Sequence, residues 1–465
     1  MSARLKNPQT SPIPQGASDL PANRHLPINL SDPPKSRAIG YKSRHIAQLS
    51  NLPLLGRTAW MSQVQKAATQ APPDTPYPRL MAFLQFWKWI LPYLRDTIHH
   101  DVPYQTYPAA KTGIFPITAP PADGPLRIAV AADWGTGTLE AETVAENMKA
   151  CYPHYTLHLG DVYYMGEPGE VSENCLGTPT PKYNGVHWPK GSLGSFALMG
   201  NHEMYSGGQG YFQNFLTTLG LFAPDSALID PQSASFFCLE AEHWLVLGLD
   251  TGYHSGGMPA FTSIPGVNNL SFLDVDARFD DEMLSWLRQT IAVLQAKGSG
   301  QKPVLVLTHH QPMSSFEHAF KKPAQQLAQL GFLNSRDFVW LYGHEHRLTI
   351  YEKQTIAGAL KVYPRCIGHA GMPVEVTTLS QPDPNIRYYD PRQHPIDNED
   401  PDTKVGYNGH VALLIDGPAL TIQYRDILNN ALLLTETFTP DASGGLQYSS
   451  SKPPDSPLVP GSQIS

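Results

Sequence analysis

Five apolar runs in the middle of this chain each stop at a carboxylate, a carboxamide or an imidazole, and that recurrence limits the fold more than any other feature. "LRIAVAA" runs to Asp133, "YTLHLG" to Asp161, "SFALMG" to Asn201 and His202, "VLVLT" to His309 and His310, and "FVWLYG" to His344 and His346. Short apolar runs ending at glycine or a turn former read as buried strands. Between the first two lies the helical "LEAETVAENMKA", with glutamates early, where the helix dipole favours them. A second helix, "DDEMLSWLRQTIAVLQAKG", puts Met283, Leu284, Leu287, Ile291 and Leu294 on one face, with acids opening it and Gly298 closing it. "SFFCLEAEHWLVLGLD" reads as two strands turning at Ala241 and Glu242, and five more strands follow Leu348. Strand–helix alternation with added strands predicts a layered α/β domain, its sheets covered by helices. In such domains ligands collect beyond the carboxyl ends of strands, so the five run ends point toward one place.

The rest of the chain divides around that domain. Residues 1–44 read as an irregular proline-rich arm, 45–120 as a helical extension packed on the core, 121–440 as the main domain, and 441–465 as a flexible tail. The net charge of −8 argues against non-specific nucleic-acid binding, which needs a basic face. Four scattered cysteines suit neither a disulfide scaffold nor a cysteine zinc site. The N-terminus has no apolar core of signal-peptide type, so a cytoplasmic location is expected. "MAFLQFWKWILPYL", residues 81–94, is too short to span a bilayer and is broken by Lys88 and Pro92. It reads as an aromatic-rich packed helix, with contact at a membrane surface as the second reading.

Carboxylates, a carboxamide oxygen and imidazoles make a mixed oxygen and nitrogen donor set suited to iron, manganese or zinc. There are more donors than one ion takes. Two ions bridged by a carboxylate fit the count, and ions about 3.5–4 Å apart clamp the attacking and leaving oxygens of a phosphoryl displacement. In a loop freed by Gly343, His344 and His346 can both turn toward one point.

The order "DWG" (133–135), "GDVYY" (160–164), "GNHE" (200–203), "VLTH" (306–309) and "GHEH" (343–346) resembles the calcineurin-like metallophosphoesterases, and among them the purple acid phosphatases. The resemblance spans roughly residues 126 to 350. It implies a β-sandwich of two sheets flanked by helices. It also implies that Asp133, Tyr164 and His346 hold one metal, that Asp161 bridges both, and that Asn201, His309 and His344 hold the second. His202 would be the catalytic residue, giving a proton to the leaving group or steadying phosphoryl charge. Many phosphoesterases of this kind carry D-x-H in the first block, where this chain has Gly135. A Tyr164 phenolate would then stand in for the missing imidazole and favour Fe(III), paired with divalent iron, zinc or manganese. Tyr163, its neighbour, is set aside on spacing.

V-x-x-H points to His309, with His310 in "HQP" as the alternative ligand or a substrate contact, and His369 in "IGHAG" as a second substrate contact. Asp250 reads as structural or as support behind the ligands. The long insertion between Tyr164 and Gly200 is placed to rim the site. The activity expected is hydrolysis of small phosphomonoesters by attack of a metal-bound hydroxide. Phosphodiester hydrolysis on the same site and a catalytically silent scaffold are the alternatives.

Overall fold

The computed structural model describes residues 101–120, 122–163, 165–179, 185–255, 277–395 and 404–463. The arm at 1–44, the extension from 45 to 100 with its 81–94 segment, and Tyr164 lie outside the described residues.

Two nine-stranded sheets stack on one another. At the centre of the first, Gly409–Asp416, Leu126–Ala131, Tyr155–His158 and Gly194–Ala197 are neighbours, the last three parallel. At the centre of the second, Leu245–Gly248, Val304–Thr308, Asp337–Tyr342 and Leu360–Ile367 run parallel. Alternate side chains explain why these strands are apolar throughout. Ile128, Val130, Leu305 and Leu307 enter the core between the sheets. Ala129 and Ala131 face outward under the helix Leu139–Lys149, which buries Ala141, Val144 and Met148 against them. Val304 and Val306 do the same under Asp281–Ala296 and its Met283, Leu287 and Leu294. A strand covered on both faces needs no polar face, hence the unbroken apolar runs. The layered α/β architecture expected from the sequence is the one observed.

A buried charge pair joins the sheets. Arg365, on Leu360–Ile367, meets Glu436, on Leu432–Pro440 of the other sheet, through Nε to Oε2 at 2.6 Å and Nη2 to Oε1 at 2.7 Å. The hydroxyls of Tyr424 and Tyr448 also donate to Glu436, at 2.6 and 2.7 Å, and Arg365 Nη1 donates to the Tyr351 carbonyl at 2.7 Å. With fork-to-fork geometry and its other oxygens and protons engaged, the pair meets the condition under which burial of charge is tolerable.

Two expectations need correction. The described end of the supposed helical extension, residues 101–120, is extended, and Ile114–Pro116 pairs in parallel with Phe237–Glu240. Pro103, Pro108, Pro116 and Pro120 remove donors and hold their predecessors out of the helical region. The supposed flexible tail is part of the sandwich. Leu446–Ser451 pairs with Leu432–Pro440 across a turn in which Asp441 Oδ1 accepts from the Ser443 and Gly445 backbones. Beyond it, Val459 exchanges backbone hydrogen bonds with Tyr389, and Leu458 is buried. The alternation of Leu446 and Tyr448 with polar residues outweighed the serine-rich composition. The helix Lys321–Leu330, not expected from sequence, closes at Gly331 with φ 75°. Among the described residues no helix is long and apolar enough to cross a membrane.

Glu436→Gln leaves Arg365 buried without a countercharge and should cost about 3–5 kcal/mol, read as a lower urea midpoint. The double change Arg365→Met with Glu436→Leu should recover most of that loss. A single-variant loss below about 1 kcal/mol would show that the pair does not hold the sheets together.

Candidate metal centre

The carboxyl ends of the parallel strands in both sheets open toward one cluster of loops. Three residues there adopt the left-handed region that non-glycine residues seldom use: Asp133 (φ 59°), Asp161 (φ 74°) and His344 (φ 68°). Each stands just past a buried strand, where such a turn folds the side chain back over the strand end. The conformation costs about 1–3 kcal/mol apiece and persists only where the surroundings impose it. Backbone bonds tie the loops together: Asp133 N donates to the Gly160 carbonyl at 3.1 Å, Gly135 N to Asp161 at 3.2 Å, and Gly343 N to His309 at 3.0 Å. Two glycines allow the carboxylates to approach neighbouring backbone. A Cβ on Gly343 would lie 2.5 Å from Asp133 Oδ2, and one on Gly200 would run into Asp161 Oδ1.

Around the fully buried carboxylate of Asp161 the donors fall into two groups. On the Oδ2 side, the Tyr163 hydroxyl lies 2.9 Å from Asp161 Oδ2, 2.9 Å from Asp133 Oδ1 and 2.8 Å from His346 Nε2. His346 Nε2 is 3.3 Å from Asp133 Oδ1. On the Oδ1 side, His309 Nε2 is 3.3 Å from Asp161 Oδ1 and 3.2 Å from Asn201 Oδ1, whose oxygen is 2.9 Å from His344 Nδ1. His310 joins His309 and His344, with ligand atoms of the three within 4.8 Å of one another. Asp133, Asp161 and His346 satisfy the same criterion. Donors at right angles on a cation with bonds of about 2.1 Å stand about 3 Å apart, which is the spacing seen in both groups. Two carboxylates side by side in a buried site also require compensating positive charge. The residues fit a pair of cations.

Neighbouring groups orient these donors. His309 Nδ1 donates to the Leu159 carbonyl at 2.9 Å, leaving the Nε2 lone pair to the cluster. Burial alone would lower His309, but the Asp161 carboxylate beside it, with Asp133 and Glu203, raises it to about 9. A proton and a cation compete for this position. Asn201 Nδ2 donates to the Tyr205 hydroxyl at 2.8 Å, which turns Oδ1 toward the histidines. Glu203 Oε2 accepts the backbone N–H of Asp161 at 3.2 Å and of Gly200 at 3.0 Å, and burial next to Asp161 pushes that carboxyl up. His310 Nδ1 lies 3.0 Å from Thr251 Oγ1. The adjacent Asp250 caps the turn by accepting from Gly252 N at 2.7 Å and Tyr253 N at 3.1 Å, and burial raises its carboxyl to about 6.

Of the residues singled out from sequence, Asp133, Asp161, Asn201, His309, His344 and His346 come together here. His202 lies beside them, its Nε2 3.9 Å from Asp161 Oδ2 and its ring between those of Tyr163 (4.4 Å) and Tyr205 (4.9 Å). His309 and His310 both reach the second group, His309 on the Asp161 side. His369 is buried against Gly409, and burial lowers its imidazole to about 4. Its loop serves the site through backbone instead: Ala370 N donates to Ala132 O at 3.2 Å and Met372 N to Asp133 O at 3.0 Å. Tyr163, Tyr205 and Glu203 are additions. The four-residue offset between Asn201 and Tyr205 was the available signal for one of them, being a single helical turn.

Residues 126–348 match the model of the calcineurin-like phosphoesterase family, and that stretch is a calcineurin-like phosphoesterase domain. No curated protein matches the sequence. Similar solved structures include PhoD, at 12% identity over 72% of this chain and 74% of that one, with TM-score 0.42. Another is GAP50, the anchor in the inner membrane complex of Plasmodium, at 11% identity over 67% and 88%, with TM-score 0.38. A dimetal phosphatase from Danio rerio shows 13% identity over 67% and 99%, with TM-score 0.36.

Gly343→Ala should displace Asp133 and weaken binding at the Tyr163 side of the centre by about 10–100-fold, the range for disturbed ligand support. Metal content after dialysis, set against wild type, measures this. Unchanged stoichiometry and affinity would show that the close approach of Gly343 to Asp133 is not needed.

Proposed function

We propose that this chain hydrolyses phosphate esters, phosphomonoesters before diesters, at a centre of two cations, one of them ferric and the other divalent iron, zinc or manganese. The observation that carries the reading is the Asp161 carboxylate, whose Oδ2 faces one donor group and whose Oδ1 faces the other. Two cations held there would supply Lewis acidity toward the phosphoryl oxygens and acidify a water to serve as nucleophile.

The chain's own residues supply the rest. Asp133, Asp161 and His346 would hold one cation, and Asp161, Asn201, His309 and His344 the other, with His310 in reach of the second. His202 lies beside the cluster, its ring set against two tyrosines and its backbone N–H donating to Asp161 Oδ1 at 3.1 Å. From there it can protonate the departing oxygen. Glu203 binds the backbone of both the Asp161 and Gly200 loops, and so keeps the bridging carboxylate and Asn201 in register.

Nitrophenyl phosphate and bis-nitrophenyl phosphate, compared on metal-loaded protein, test the substrate class. Faster turnover of the monoester is expected, and a preference for the diester would reverse the order proposed. Asp161→Asn should abolish activity and bring metal content toward one ion or none, because two cations at short range then repel without a shared anion. Two bound ions and near-normal turnover in that variant would end the two-cation reading. His202→Ala should keep both metals and slow turnover by roughly 10²–10⁴, with a smaller loss for good leaving groups. Equal loss across leaving groups would assign His202 to charge stabilisation instead.

A further inference from the structure

The helix Leu139–Lys149 covers the outer face of the first sheet over Ala129 and Ala131, and it ends at Ala150. Past that end a cavity of about 230 Å³ opens between the sheet and the segment carrying Cys151. Arg127, Ala412, Gln423 and Arg425 line it, alternating along their strands with Ile128, Val411, Leu413, Ile422 and Tyr424, which enter the core between the sheets. Its charge is one-sided. Arg425 donates to Gln423 Oε1 at 2.7 Å and to the Asn430 carbonyl at 3.1 Å, both neutral, and no carboxylate of the described residues pairs with it. Arg127 has a carboxylate near it only at 3.8 Å, that of Asp123. Arg425 Nε and Asn430 Oδ1 are buried without a hydrogen-bond partner. A buried donor on a guanidinium that lacks a countercharge suits an anionic acceptor, because charge-assisted hydrogen bonds are the strong ones.

The same cavity holds the accessible thiol of the chain. Cys175, Cys238 and Cys366 are buried, whereas Cys151 is half-buried and lines the cavity. Its sulfur donates to the Asn147 carbonyl at 3.5 Å and accepts from Asn430 Nδ2 at 3.8 Å. Nε2 of the buried His410 lies 3.7 Å from it. Thiol chemistry needs access and a thiolate, and a wall carrying two guanidiniums favours anions of both kinds, the bound thiolate and an incoming carboxylate. None of these residues is among the candidate metal donors.

We infer that this cavity receives a disulfide bearing carboxylates, of the glutathione class, and that Cys151 exchanges with it. The Cys151 thiolate attacks one sulfur of the incoming disulfide, the disulfide bond breaks, and a mixed disulfide forms on Cys151. The other half leaves as a thiolate and takes up the proton that Cys151 gave. The incoming disulfide is itself the oxidant, so the step balances without another.

Thiol titration of the folded full chain tests this. Dithiobis-nitrobenzoate, which carries carboxylates, and dithiodipyridine, which carries none, are each timed against free cysteine as reference. In wild type Cys151 should react quickly with either, and the three buried thiols only in urea. Arg425→Gln should slow the anionic reagent about tenfold relative to the neutral one, the lower end of the gain that a charged cleft confers, and Arg425→Lys should keep most of the wild-type rate. Glutathione disulfide should add one glutathione, found by mass spectrometry on the peptide holding Cys151 and absent from Cys151→Ser. S-methylglutathione, which carries the carboxylates but cannot exchange, should slow the reaction of wild type with dithiodipyridine, and this arm needs no variant to fold. Equal slowing of both reagents in Arg425→Gln, an adduct on another cysteine, or no protection by S-methylglutathione overturns the inference.

Discussion

A carboxylate shared between two groups of donors is the constraint on which the rest of this structure depends. Asp161 is fully buried, sits in a left-handed turn, and faces Tyr163 with one oxygen and His309 with the other. The Glu203 carboxylate binds its backbone N–H, and Gly200 lacks a side chain where one would collide with it. The Asp133 loop is tied to it by backbone bonds from Asp133 N to Gly160 O and from Gly135 N to Asp161 O. Isolated, such a charge would be intolerable in an interior of low dielectric. Its neighbours are arranged to receive compensating charge rather than to neutralise it by distance.

The sandwich supplies this at moderate cost. Parallel strands end together, so several loops converge without long connections. Helices on both outer faces keep those strands dry, and the Arg365–Glu436 pair fixes one sheet against the other well away from the outer layers. The strained backbone at Asp133, Asp161 and His344 is carried by this frame, since loops alone would relax it.

The frame and most of the candidate donors were legible because both follow from local pattern. A strand buried on two faces must be apolar throughout, so "LRIAVAA" and "VLVLT" announce themselves, and the polar residue at each end marks the loop. What escaped depended on backbone direction or distant pairing. Tyr163, set aside on spacing, reaches the donors through the turn at Asp161 (φ 74°) and the bridge from Gly135 to Val162, while Tyr164 lies outside the described residues. His369 looked like a free imidazole in a glycine loop, yet the chain buries its ring and uses its backbone. Residues 446–451 read as polar tail because serine dominates their composition, although an unpaired edge at Leu432–Pro440 was available to order them.

The candidate donors come from both sheets: Asp133, Asp161 and Asn201 follow strands of the first, and His309, His344 and His346 follow strands of the second. Any ion seated among them is therefore a cross-link between the two halves of the sandwich. Its binding free energy would add to the cohesion of the fold, and anything that loosens the packing between the sheets would weaken its hold on the ion. Affinity and tertiary integrity become one quantity in such a layout. A substitution deep in the interface, far from any donor, would surface first as a loss of metal.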